Sequence, residues 1–204
     1  METLVVFLII FIPFGGFMWM VLRFTRNTIG ENSPLKVKRI YQIDAWSYFF
    51  KFDNLFAVFF IVMGLLLFQA TVTARMGADI SYPALARGTL LIGTALFAGL
   101  GFVVLAIDLN HWKYVEGVVL ETFPEEHELE ITFGETKLRL KEGDILRVLI
   151  TSNEARMRIS FMTYYLASGN HFILSDKMPG VWVIHEYFKK VPIEYRKTQF
   201  PFIE

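Results

Sequence analysis

The sequence predicts a membrane-embedded helical half joined to a small water-facing antiparallel β domain that is closed by one C-terminal helix. Two observations carry that class. Long charge-free runs are confined to the first 110 residues, and after Tyr114 the hydrophobic pattern switches to an alternation broken by turn residues. The hydrophobic fraction of 54% exceeds that of an ordinary soluble chain, and 204 residues leave room for one helical bundle plus one small domain.

The first run, 4–22, lies between Glu2 and Arg23. A secretory signal would place basic residues ahead of a shorter apolar core and end at small residues. Here Arg23 and Arg26 follow the run, and Phe17-Met18-Trp19-Met20 offers no cleavage site, so a retained helix is expected. Pro13 and Gly15-Gly16 interrupt it without excluding a membrane helix. The second run, 54–74, lies between Asp53 and Arg75, and the third, 88–107, between Arg87 and Asp108. At about 1.5 Å per residue each reaches across a hydrocarbon core of about 30 Å. Three transmembrane helices are the expectation for residues 1–110.

Between the first two runs stand Arg23, Arg26, Lys36, Lys38, Arg39 and Lys51; between the second and third stand only Arg75 and Arg87. Cytoplasmic loops carry the Lys/Arg excess, which predicts an external N-terminus and a cytoplasmic C-terminal domain, with a bacterial inner membrane as the expected setting. Within residues 35–52, Lys36, Lys38, Arg39 and Lys51 alternate with aromatics that include Trp46 and Tyr48. That mixture suits the headgroup zone, so these six residues are expected at the membrane interface. In the third run Gly88, Ala95, Gly99 and Ala106 share a helix face, as do Ala57 and Gly64 in the second. These small residues are the predicted helix-packing positions. Asp108 is read as an interfacial residue beside Asn110, His111 and Trp112.

The domain predicted over residues 114–204 begins with a β-branched strand, Val115–Thr122. Glu128–Phe133 and Thr136–Leu140 alternate about Gly134-Glu135, which predicts a hairpin. Ile145–Thr151 forms a further strand, and Arg156–Ala167 turns at Ser168-Gly169-Asn170 into His171–Ser175. Beyond Asp176, Pro179 opens a predicted helix over 179–190 with Val181, Ile184 and Phe188 on one face. Paired hairpins followed by one closing helix resemble the pleckstrin-homology-like fold, as found in small membrane-anchored bacterial proteins. The resemblance implies a binding module for protein or lipid headgroups and no catalyst. Its phosphoinositide-binding form needs a basic first hairpin loop, where this chain has Pro124-Glu125-Glu126-His127.

No motif points to chemistry. Cysteine is absent, which excludes disulfides, thiolate metal sites and cysteine nucleophiles. His111, His127, His171 and His185 lack helical pair spacing, and no serine stands in a nucleophile-elbow context. No catalytic residue, metal site or cofactor is expected. Residues 111–204 carry twelve Lys/Arg and fourteen Asp/Glu, a balance that argues against a nucleic-acid partner. The expected function is that of a non-catalytic membrane subunit whose cytoplasmic domain docks a membrane or cytoplasmic protein, or a second copy of itself. Arg156, Arg158, Tyr164, Trp182 and Tyr187 are the candidate contacts, with Tyr165 a further surface aromatic beside Tyr164. The alternative is an oligomeric pore or transport component, for which Gln69, Thr71, Thr89 and Thr94 are the polar groups available.

Overall fold

A long segment without charged side chains satisfies its backbone within itself, and helix is the conformation that does so. In a computed structural model that describes residues 2–28, 30–73, 82–153 and 159–204, with the side chains of 2–10, 13, 24 and 52 left aside, the apolar runs form α1 (Glu2–Thr28), α3 (Phe52–Thr73) and α4 (Pro83–Trp112). Between α1 and α3 lie the two-residue strand β1 (Ile40–Tyr41) and the short helix α2 (Ala45–Phe49). Among the described residues two helices, α3 from Asp53 onward and α4, are long and apolar enough to cross a membrane. The expectation of three spans is thereby narrowed to two. α1 is one continuous helix over the first apolar run, but the side chains of residues 2–10 are outside the described set.

α3 and α4 pack closely against each other, and the contact is made by small residues on a different face of α4 from the one expected. A methyl group added at Gly64 would meet Ala98 at 2.8 Å; one added at Gly101 would meet the carbonyl of Ala57 at 2.6 Å and Ile61 at 2.7 Å. Ala57 is buried, so Ala57 and Gly64 lie on the packing face of α3. On α4, by contrast, Gly88 and Gly99 have nothing within 4 Å of an added methyl, and Ala95 and Ala106 are exposed. The face of α4 that meets α3 runs through Ala98 and Gly101. Spacing identified a small-residue stripe, but α4 carries glycine and alanine on two sides and spacing does not choose between them.

The strands are β2 (Val118–Phe123), β3 (Glu128–Phe133), β4 (Thr136–Leu140), β5 (Ile145–Ser152), β6 (Ser160–Leu166), β7 (His171–Ser175) and β8 (Ile193–Lys197), with helix α5 (Val181–Tyr187) before β8. They form two four-stranded sheets, ordered β1-β2-β3-β4 and β7-β6-β5-β8. Pairing is antiparallel except between β5 and β8. The β3–β4 hairpin closes with Phe133 opposite Thr136, and Gly134 takes the left-handed conformation its tight turn requires. Leu120, Leu129, Ile131 and Leu140 from the first sheet meet Val148, Tyr164 and Leu174 from the second in one core, which α5 covers with Val181, Val183 and Ile184. α5 is shorter than the predicted 179–190, because Gly180 starts it with φ 80° and Phe188 ends it.

The interfacial segment 35–52 is not separate from this domain. β1 pairs with β2, placing Ile40 opposite Glu121, and Tyr48 is wholly buried in the core. The β domain is thus assembled from residues on both sides of the α3–α4 pair. The helix contact makes a direct prediction. Gly101→Val should loosen α3 from α4 and cost about 1–3 kcal/mol by overpacking, whereas Gly99→Val should stay within about 0.5 kcal/mol of wild type. Thermal unfolding of both variants in detergent measures the difference.

Candidate functional site

The cytoplasm-facing end expected for the third apolar run carries Asp108, Asn110 and His111, and the structure buries that end in the β domain. Asp108 and His111 are three residues apart and share a helix face. The Lys177 ammonium donates to the Asp108 carboxylate in an ion pair whose side chains are 11% and 0% exposed. The Tyr48 hydroxyl donates to the Asp108 carbonyl at 3.0 Å, and Asn54 of α3 donates to the Tyr48 carbonyl at 3.3 Å. Lys177 also lies over the Tyr48 ring at 5.7 Å, a cation–π contact. One ion pair and one ring therefore connect α3, α4 and the loop after β7.

His111 makes two further bonds. A carbonyl only accepts, so Nε2–H donates to the Pro201 carbonyl at 2.7 Å, and Nδ1 meets the Ser175 hydroxyl at 2.7 Å. Asn110 makes a reciprocal pair with Ile203: its Nδ2 donates to the carbonyl at 3.0 Å, and the Ile203 N–H donates to Oδ1 at 2.7 Å. Together they pin the C-terminal segment to the end of α4. Asp176 accepts from the Ser160 N–H at 3.0 Å and from its hydroxyl at 2.7 Å; burial pushes its carboxyl up, against the opposing pull of the Ser160 hydrogen bonds and of His111.

A serine hydroxyl against a histidine invites a catalytic reading. Ser175 and His111 are both fully buried, and the second ring nitrogen is held by a backbone carbonyl. The pair is closed to solvent and joins the end of α4 to the end of β7. The other histidines stand apart. His127 stacks on Tyr187 with ring centroids 5.0 Å apart, His171 lies beside Tyr165, and burial holds the His185 imidazole below its usual range. Among the described residues no group of His, Asp or Glu converges as a metal site.

The expected interface residues divide in three. Trp46 is 68% exposed and stacks on Phe50, with centroids 3.6 Å apart. Lys36 is exposed, and Lys51 half-buried. Lys38 pairs with Glu121 at 2.7 Å, and Arg39 donates to the Asn32 carbonyl at 3.0 Å, so both are engaged inside the chain. Tyr48 is a correction: it is core, since alternate sides of α2 face the domain and the outside. Of the expected partner contacts, Trp182 is exposed, and Arg156 and Arg158 lie outside the described residues. Tyr164 and Tyr187 are corrections. Tyr164 stacks on Phe172 in the core, and the buried Tyr187 donates its hydroxyl to the Pro34 carbonyl at 2.7 Å.

The two sheets present contrasting outer faces. On the first, Lys137 pairs with Glu130 at 3.0 Å and Arg139 with both Glu126 and Glu128, a closed ladder of ion pairs. On the second, Leu149, Phe161, Tyr165 and Ile173 point outward and, with Phe200 and Phe202, line an open cleft of about 480 Å³. Sequence reasoning took both Tyr164 and Tyr165 as surface aromatics, and only Tyr165 lies on this face; the parity of β6 was the available signal to separate them, with Met162, Tyr164 and Leu166 alternating inward. It missed Lys177 because Asp176-Lys177 reads as a helix start. Compared with protein-family models, curated proteins and solved structures, the chain shows no match.

The junction predicts its own failure. Lys177→Met leaves the Asp108 carboxylate buried without its partner, and should cost about 3–5 kcal/mol, lowering Tm by roughly 6–20 °C for a chain of this size. Asp108→Asn with Lys177→Met should recover at least half of that loss, measured by thermal unfolding in detergent.

Proposed function

We propose that the protein is a non-catalytic integral membrane subunit that holds a cytoplasmic pleckstrin-homology-like domain rigidly at the bilayer surface for docking a protein partner. The observation that carries this reading is the open cleft on the outer face of the second sheet, where Leu149, Phe161, Tyr165 and Ile173 stand among Thr151, Thr163, His171 and Arg196, set on a domain fastened directly to α4 by Asp108, Asn110 and His111. Aromatic and aliphatic side chains interleaved with arginine, histidine and threonine around an open cleft suit a protein interface of mixed character, whereas the ion-paired face of the first sheet has its charges already matched. The fold assignment is supported by two packed sheets followed by α5; β8 after that helix is an addition to the expected order.

The reading takes α1 as a third membrane helix. Its exposed Phe11, Ile12, Phe14, Phe17 and Trp19 would be covered by lipid. The proposed orientation, N-terminus outside and β domain in the cytoplasm of a bacterium, is supported by the Lys/Arg bias and by the packing of residues 33–50 with the domain after α4. Impermeant thiol labelling of Tyr82→Cys and Ser168→Cys should reach the two positions from opposite sides; labelling from one side alone rejects it. The pore alternative has less support because Thr71, Thr89 and Thr94 each spend their one donor on the carbonyl four residues back in their own helix, at 2.8, 3.0 and 2.9 Å, which leaves the exposed Gln69 amide as its principal polar group.

The testing experiment is affinity purification of the full chain from crosslinked membranes, with mass spectrometry of stoichiometric partners. Ile173→Glu, which places a charge on the outer face and leaves the core untouched, should lower partner recovery about tenfold or more, as for loss of an interface anchor. Thr136→Glu, on the exposed edge of the first sheet, should leave recovery unchanged. Equal recovery with both variants overturns the docking face.

A further inference from the structure

The stretch between β1 and α3 builds a second cleft, and its position relative to the bilayer defines what fits it. Gln42, Ile43, Asp44, Ser47 and Lys51, with Pro179 from the loop before α5, line an open space of about 580 Å³. Lys51 immediately precedes α3, and its carbonyl accepts the Leu55 N–H at 3.1 Å. The cleft therefore opens within one helical turn of the point where α3 becomes charge-free. Beside it, Trp46 and Phe50 stack on one another and are exposed, as side chains at the headgroup level are.

The charges in this cleft are unequal in their engagement. Lys177, the neighbouring cation, is spent on Asp108. Lys51 is half-buried, its ammonium lies over the Tyr48 ring at 5.5 Å, and among the described residues it belongs to no ion pair, although Asp108, Asp176 and Asp53 are near enough to act on its charge, against burial and Lys177. A half-buried cation with no carboxylate in direct contact keeps its donors available to an oxyanion. Asp44 is the other charged group. It caps α2, accepting from the Ser47 N–H at 2.5 Å and from the Ser47 hydroxyl at 3.2 Å, and these bonds hold its carboxyl below the usual range. Each carboxylate oxygen keeps a further acceptor site. A purely anionic ligand would be drawn by Lys51 and repelled by Asp44. A ligand carrying both a phosphodiester and an ammonium group answers both.

We propose that this cleft is a binding site for the headgroup of a zwitterionic, primary-amine phospholipid, with Lys51 on the phosphate, Asp44 on the ammonium, and Trp46 and Phe50 set into the surrounding lipid. The inference rests on α3 as a membrane span and is independent of any protein partner. Gln42 and Ser47 add an amide and a hydroxyl along the wall, and the acyl chains would continue beside α3.

The test is native mass spectrometry of the full chain in detergent, titrated separately with phosphatidylethanolamine, phosphatidylcholine, phosphatidylglycerol and water-soluble glycerophosphoethanolamine. One phosphatidylethanolamine should bind per chain, more tightly than the other three. Lys51→Gln keeps most of the side-chain stem and should weaken it about tenfold, the loss of one charge-assisted hydrogen bond. Asp44→Asn keeps a good helix cap and should invert the preference toward phosphatidylglycerol. Thermal unfolding of both variants checks that they fold; a variant that does not is replaced by Lys51→Met or Asp44→Ser. Phosphatidylglycerol bound more tightly by the wild type overturns the zwitterionic assignment. Glycerophosphoethanolamine bound as tightly as the lipid overturns the membrane source. Equal binding of all lipids, insensitive to Lys51→Gln, shows a nonspecific lipid shell and overturns the site.

Discussion

The architecture depends on how α4 ends. Its 30 residues amount to about 45 Å of helix, some 15 Å more than a hydrocarbon core of about 30 Å. The surplus carries the polar residues Asp108, Asn110 and His111. Left at the surface, they would make an ordinary helix end. Withdrawn from water, each must find a partner, and the partners come from two distant parts of the chain: Lys177 for Asp108 and Ser175 for His111 at the end of β7, and Pro201 for His111 and Ile203 for Asn110 in the C-terminal segment. These contacts require the β domain to close around the helix, so its orientation relative to α3 and α4 is fixed by hydrogen bonds and no flexible linker intervenes.

This requirement explains which parts of the structure were legible in the sequence. Charge-free runs and period-two alternation are local signals, and α3, α4 and the β3–β4 and β6–β7 hairpins follow from them. β1 and β8 are not local. Ile40–Tyr41 is too short to alternate, and Ile193–Lys197 is exposed along its whole length; each becomes a strand only because a neighbour offers a free edge. Tyr48 reads as a headgroup aromatic because it stands between Trp46 and Phe50, which are exposed, while its own side chain faces the opposite way into the core. The same limit applies to the junction. Asp108 at the end of an apolar run reads as a boundary marker, and nothing within its neighbourhood in the chain indicates a lysine sixty-nine residues later.

The two outer faces of the domain show how alike the sheets are in construction and how different in consequence. Both alternate with an apolar inner row. In the first, the outer row is filled by Glu128, Glu130, Lys137 and Arg139, whose charges satisfy one another across the β3–β4 register. Exposed pairs of this kind add little stability, but they keep an apolar partner away and blunt the edge at β4. In the second, Arg147 lies over Tyr165 at 4.3 Å and pairs with Glu194 at 3.1 Å, and the aromatic and aliphatic side chains are interleaved with Thr151, Thr163, His171 and Arg196.

The C-terminal segment ties that face to the membrane. Phe200 and Phe202 face the cleft on the second sheet, while Pro201 and Ile203, the alternate residues, are buried and bonded to His111 and Asn110. A period of two divides one short stretch between a surface and a helix end. A ligand seated on Phe200 and Phe202 would therefore bear on the same backbone that α4 holds, with no side chain able to relax between them except the His111 and Asn110 groups themselves. The contact of α4 with α3 at Gly101 lies about two turns back along the helix from Asp108, so the fastening to the β domain and the packing against α3 occupy successive levels of a single helix.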